Sequence, residues 1–119
     1  MRVRFRPSEP ADFIALLGQL PVHRTRGITA LAGDELLGIG GLIMAPDGSV
    51  WASCFISDAG RTFPRAVHRA GLELMKLARS TGYARVFATA EDRPGAARWL
   101  LALGFHFVPE KLLFVWECA

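Results

Sequence analysis

Three arginines spaced by four, Arg61, Arg65 and Arg69, run up to and into a stretch of helical periodicity. Helical residues at that spacing share a face. Cations gathered at a helix start oppose its dipole and favour an anion. The chemistry would be phosphate capture by guanidinium groups; a solvated helix face accounts for the same spacing. Four carboxylates could move a proton. Asp58 closes one apolar strand, Glu91 and Asp92 close another, and Glu35 lies in a turn. Open sheets bind ligands at their strand ends, so Asp58 and Glu91 lead as candidate bases. Glu91 and Asp92 also suit plain helix N-terminal charge, and Asp58, two residues before Gly60, suits a turn.

The remaining reactive types point to packing and solvation. His68 and His106 have no Cys or carboxylate at ligand spacing, so no metal is expected. Cys54, on an apolar stretch, reads as a small buried hydrophobe. With Cys118 it supplies neither a disulfide framework nor a zinc spacing, which fits a reducing compartment, the cytoplasm. His23, Arg24 and Arg26 form a polar cluster that reads as a solvated loop, or as a contact for an acidic substrate.

The elements that must position these residues follow from turn chemistry and period. Val3–Arg6 alternates as a short strand and stops at Pro7. Ser8 offers an N-cap to a helix with Pro10 and Asp12 in its first turn, running to Gly18. Residues 23–27 read as loop. Ile28–Ala32 and Leu36–Ala45 form a hairpin about Gly33-Asp34-Glu35, and Gly38, Gly40 and Gly41 predict a bulge or a close approach in its second strand. Ser49–Ser57 is the next strand. Between Pro64 and Ser80 apolar residues recur at helical spacing, and Gly82 ends the run. A strand over Arg85–Ala90, a helix opened by Glu91-Asp92-Arg93-Pro94 and closed by Gly104, and two strands, Phe105–Val108 and Leu112–Glu117, complete the chain. The order is β-α-β-β-β-α-β-α-β-β, an α/β class with a mixed sheet. Its strand–helix–strand unit places two strands in parallel.

Composition sets the frame for this order. At 119 residues one domain, 1–119, fills the chain, with 51% apolar and 21% charged residues. A formal charge of +3 is too small to argue for nucleic acid, and aromatic residues do not interleave with the arginines apart from Phe63. No apolar run approaches the ~20 residues of a membrane span. No apolar signal-peptide core follows the first arginines.

Element order and particular residues together resemble the GNAT acetyltransferase superfamily. Arg6-Pro7 with Asp12 resembles its opening strand and first helix, and Asp34–Gly41 its hairpin. Gly82-Tyr83 resembles its lead into a strand, and Ala96–Phe105 its late helix ending in Gly-Phe. The resemblance implies an acetyl-CoA N-acetyltransferase acting by direct attack of an amine. It implies pantetheine beside Phe55, Ile56 and Ser57, and pyrophosphate at Arg61, Thr62, Phe63, Arg65 and Ala66. The physics of that second site is general: unpaired N–H groups at a helix start welcome an anion.

Departures from the family pattern carry equal weight. Pro64 stands where the phosphate loop has its central glycine, leaving the N–H groups of Thr62, Phe63, Arg65 and Ala66 and the Thr62 hydroxyl as donors. Leu100 stands where a tyrosine often protonates the leaving thiolate, and Arg93 where an asparagine is common. Trp99 and Leu100 read as core. Only residues 13–27 separate Asp12 from the second strand, where the family spends two helices, so the acceptor side should be open or completed by another chain. Exposed strands near Leu112–Trp116 add to the case for a homodimer. Short members with eroded motifs also occur in phage genomes, which makes a catalytically degenerate fold acting by protein or anion binding the alternative.

Overall fold

The computed structural model describes residues 2–90 and 95–118. Along them lie β1 (Val3–Pro7), α1 (Pro10–Leu17), β2 (Thr25–Ala32), β3 (Glu35–Met44), β4 (Val50–Ile56), α2 (Pro64–Thr81), β5 (Arg85–Ala88), α3 (Ala96–Ala102), β6 (His106–Val108) and β7 (Leu113–Glu117). The strands form one sheet in the order β1-β2-β3-β4-β5-β7-β6. Neighbours are antiparallel except β4 and β5, which α2 joins in parallel. This is the expected mixed α/β order.

Local boundaries differ from expectation where tertiary pairing decides. The strand expected from Ile28 begins at Thr25, because β3 is long enough to pair Thr25 with Ile43 and Arg26 with Leu42. The N-cap of α1 is Glu9, not Ser8. Ser8 instead places its hydroxyl 2.7 Å from that of Thr29, and Asp12 accepts the Glu9 N–H at 2.8 Å. The hairpin register shifts between Ala30 and Leu31, a bulge in the pair that carries the three strand glycines. The exposed strand expected near Leu112–Trp116 is internal: β7 lies between β5 and β6, and Phe114, Val115 and Trp116 are buried.

One face of α2 builds the core. Ala66, Ala70, Leu74 and Ala78, spaced by four, are all buried. Leu74 and Ala78 pack with Leu42, Val50 and Val86, whereas Ala66 and Ala70 pack with Ala30, Ala32 and Leu37. Leu74→Ala would cost about 2–5 kcal/mol. α1 rests on β3, and a buried polar cluster ties it to β1 and β2. Asp12 receives two hydrogen bonds from Arg6, at 2.6 and 2.9 Å, and one from Thr29 at 2.9 Å. These partners, Arg6 foremost, outweigh burial and hold the Asp12 carboxyl down at about 2. Among the described residues no helix is long and apolar enough to cross a membrane.

Candidate functional site

Trp51 and Phe87 form the one register pair between β4 and β5 among the described residues. Past it β4 runs on to Ile56 and β5 to Ala88 with no further register pair, which leaves a fork between them. On one face the fork is flanked by α2, which follows β4, and α3, which follows β5. Between them lies a cleft of about 300 Å³. Cys54 and Ile56 of β4, Val67 and Gly71 of α2, Thr89 after β5, and Trp99 and Leu100 of α3 all line it.

Backbone alternation assigns donors to this fork. The Ser57 N–H donates to the Leu37 carbonyl at 3.0 Å, and the β3–β4 register runs unbroken from Gly38↔Ile56 to Met44↔Val50. The N–H groups of Phe55 and Ser53 therefore also turn toward β3. Those of Ile56 and Cys54 turn away from it, toward the fork. The side chains of Cys54 and Ile56 line the cleft, and that of Phe55, between them, stands on the opposite face.

A single turn of 3-10 helix, Gly60–Thr62, lies in the chain between the cleft residues Ile56 and Val67, ahead of α2, and is taken as the mouth of the cleft. Ser57 holds it in place. Its hydroxyl donates to the carbonyls of Leu36 and Leu37, at 2.6 and 3.0 Å, and accepts the Gly60 N–H at 3.0 Å. Gly60 passes so close to β3 that a Cβ would lie 1.9 Å from the Leu37 oxygen. The turn consumes donors expected to face a ligand. The Thr62 N–H goes to Ala59, the Phe63 N–H to Gly60, and the Thr62 hydroxyl to the Ala59 carbonyl. Pro64 has no N–H, and Val67 donates to Phe63. The helix start thus leaves the N–H groups of Arg65 and Ala66, with the exposed side chains of Arg61 and Arg65 beside them. Arg69 departs from this group, its guanidinium lying 5.1 Å from the centre of the Phe5 ring on β1.

The proton-transfer candidates are scattered. Asp58 is exposed in the turn after β4, and Glu35 is exposed at the start of β3, at the same end of the sheet. Glu91 and Asp92 lie outside the described residues, as does Arg93. Leu100 is buried against the cleft and carries no proton. His106 lies 3.6 Å from Glu117 on the β6–β7 pair. Among the described residues no three His, Cys, Asp or Glu side chains gather to hold a metal ion. Trp99 and Cys54, expected in the core, line the cleft together with Thr89. Helical period assigns a face to Trp99 but not the gap that face meets.

Neither a family model nor a curated protein matches the chain. Solved structures do. An acetyltransferase of Bacillus subtilis, solved in complex with CoA, superposes on 99% of this chain and 100% of its own, with a TM-score of 0.69 and 14% identity. An acetyltransferase from Streptococcus agalactiae covers 98% of both chains at 0.71 and 14%. A tandem GNAT protein from the clavulanic acid biosynthesis pathway matches over 90% of this chain and 45% of its own, at 0.65 and 16%. The fold is that of the GNAT acetyltransferases. On this GNAT fold the chain has a single helix, α1, between β1 and β2. That helix and the segment after it expose Ile14, Leu17, Leu20 and Val22.

Proposed function

We propose that this GNAT-fold protein binds acyl-CoA, with acetyl-CoA the first candidate, and passes the acyl group to an amine. One observation carries the reading: the fork between β4 and β5 opens on a ligand-sized apolar cleft whose mouth keeps two unpaired N–H groups and two arginines. The mouth suits a pyrophosphate, the cleft a pantetheine chain. The fold's solved acetyltransferases, one of them a CoA complex, support the same choice.

In this reading the thioester carbonyl lies at the fork, where the N–H of Ile56 or Cys54 polarises it. The amine nitrogen bonds to the carbonyl carbon, the C–S bond breaks, and the electron pair leaves on sulfur as thiolate. The amine's proton passes to a carboxylate, Asp58 or Glu91, or to water. With Leu100 on α3 in place of a proton donor, water protonates the thiolate. The site serves one domain, 1–119, working in the cytoplasm.

The test is thiol release from acetyl-CoA against a panel of amines. Release that requires both the amine and the protein is expected. Failure with every amine, alongside intact CoA binding, would favour a second reading, a GNAT fold retained for binding. The exposed Ile14, Leu20 and Val22 support that reading, and the phage-type affiliation and a homodimer belong with it.

A further inference from the structure

Trp99 stands apart from the other polar groups of the fold. Its indole Nε1 is buried and has no hydrogen-bond partner, the one such side-chain atom among the described residues. Buried indole N–H groups ordinarily find an acceptor, and an unmade bond there costs about what desolvating the donor costs. Trp51 follows the ordinary rule, donating to the Ser49 hydroxyl at 2.8 Å.

The orphaned donor belongs to a residue of the cleft wall. Trp99 lines the cleft between α2 and α3. Its Cζ2 edge approaches Gly71, where a Cβ would lie 3.0 Å away. Nε1 and Cζ2 are bonded to the same ring carbon, so the donor lies on the edge turned toward α2. Around it the lining is apolar, with Val67, Leu74, Met75 and Leu103. An occupant must therefore be largely apolar, uncharged along this stretch, and supply a carbonyl-type acceptor.

We propose that the Trp99 indole N–H is the hydrogen-bond donor that reads an amide carbonyl of the pantetheine chain in this cleft. The proposal rests on the acyl-CoA reading and adds a positioning residue to it. Pantetheine combines methyl and methylene groups with two amides, which matches one donor in an apolar channel. The adenylate and phosphates, charged and polar, stay at the mouth by Arg61 and Arg65.

The experiment follows indole N–H signals of ¹⁵N-labelled protein by NMR. The chain has three tryptophans, and Trp99→Phe assigns the Trp99 signal by removing it, while the other two report that the fold is intact. CoA, phosphopantetheine and 3′,5′-ADP serve as probes. The Trp99 signal is expected to shift with the first two and not with the third. Trp99→Phe is expected to weaken phosphopantetheine binding about five- to tenfold, the worth of one hydrogen bond, and to leave 3′,5′-ADP unaffected. If CoA binds while the Trp99 signal stays still, or binds the variant equally well, this assignment is overturned and the acyl-CoA reading stands. If the wild-type protein binds none of the probes, the acyl-CoA reading falls and takes the assignment with it.

Discussion

Trp51 of β4 and Phe87 of β5 face each other in parallel register with their rings 5.4 Å apart, and the sheet forks just beyond them. The pair ends the strand pairing in the plane of the sheet, and its rings stand on the face opposite the cleft, the side that carries Phe55. Beyond it the two strands no longer pair with each other, while β4 stays paired with β3 and β5 with β7. α2 and α3 flank the fork, which makes a cleft out of a break in the sheet.

The mouth depends on Gly60. A Cβ there would meet the Leu37 carbonyl at 1.9 Å and the Ile56 side chain at 2.9 Å, and neither contact can be relieved without moving the turn off β3. Gly60→Ala is expected to cost about 2 kcal/mol or more and to weaken CoA binding as well. Urea unfolding and calorimetry of the same variant check both.

Arg65 and Arg69 share a helix face but not a task. Arg65 is exposed beside the free N–H groups of the helix start, whereas Arg69 covers Phe5. Arg65→Glu should weaken CoA binding about tenfold or more with little change in stability, because a surface charge is worth little to folding but a reversed charge repels phosphate. Arg69→Ala should leave CoA affinity within about twofold, while losing roughly 0.5–1 kcal/mol of cation–π contact. Equal effects of the two on affinity would remove the phosphate assignment.

Asp12 gives the fold a pH dependence of definite sign. Its carboxyl titrates at about 2 in the folded chain against an ordinary 3.8, chiefly because Arg6 hydrogen-bonds it. A depressed carboxylate contributes stability that is fully present above pH 4 and lost as the pH falls toward 2. The shift corresponds to roughly 2 kcal/mol. Asp12→Asn should therefore be less stable by about that amount at pH 7, with the difference shrinking between pH 4 and pH 2. Urea unfolding of both proteins at pH 7, 4 and 2.5 measures it.

Gly71 sets the spacing of the two helices that wall the cleft. A Cβ at this position would crowd Leu103 at 2.9 Å and Trp99 at 3.0 Å. Alanine gains up to about 1 kcal/mol of helix propensity over glycine, and overpacking of this kind costs about 1–3 kcal/mol. The contact is with side-chain ends, so the net loss for Gly71→Ala should be modest, about 1 kcal/mol. The Trp99 ring should move, and its fluorescence is the readout.

The order of elements was legible because local chemistry marks each boundary. Gly18, Gly82 and Gly104 take left-handed conformations next to helices, and Pro64 opens α2. The start of β2 was not legible, since it rests on pairing with the far end of β3. The same division runs through the site. An anion site could be located at the start of α2, but the donors used up by the 3-10 turn could not be foreseen, nor the diversion of Arg69 to Phe5. Trp99 meets Gly71 across twenty-eight positions of chain, and Asp12 gathers Arg6 and Thr29 from two strands. Periodicity names the faces of elements; it does not say which faces meet or where they leave a gap.

Calorimetric titration with acetyl-CoA and CoA, with ATP as an anion control, tests acyl-CoA binding most directly. Dissociation constants at or below tens of micromolar, roughly −6 kcal/mol or tighter, are expected, with ATP much weaker. No heat up to millimolar CoA would contradict it, and would mean that Pro64 and the 3-10 turn have closed the mouth.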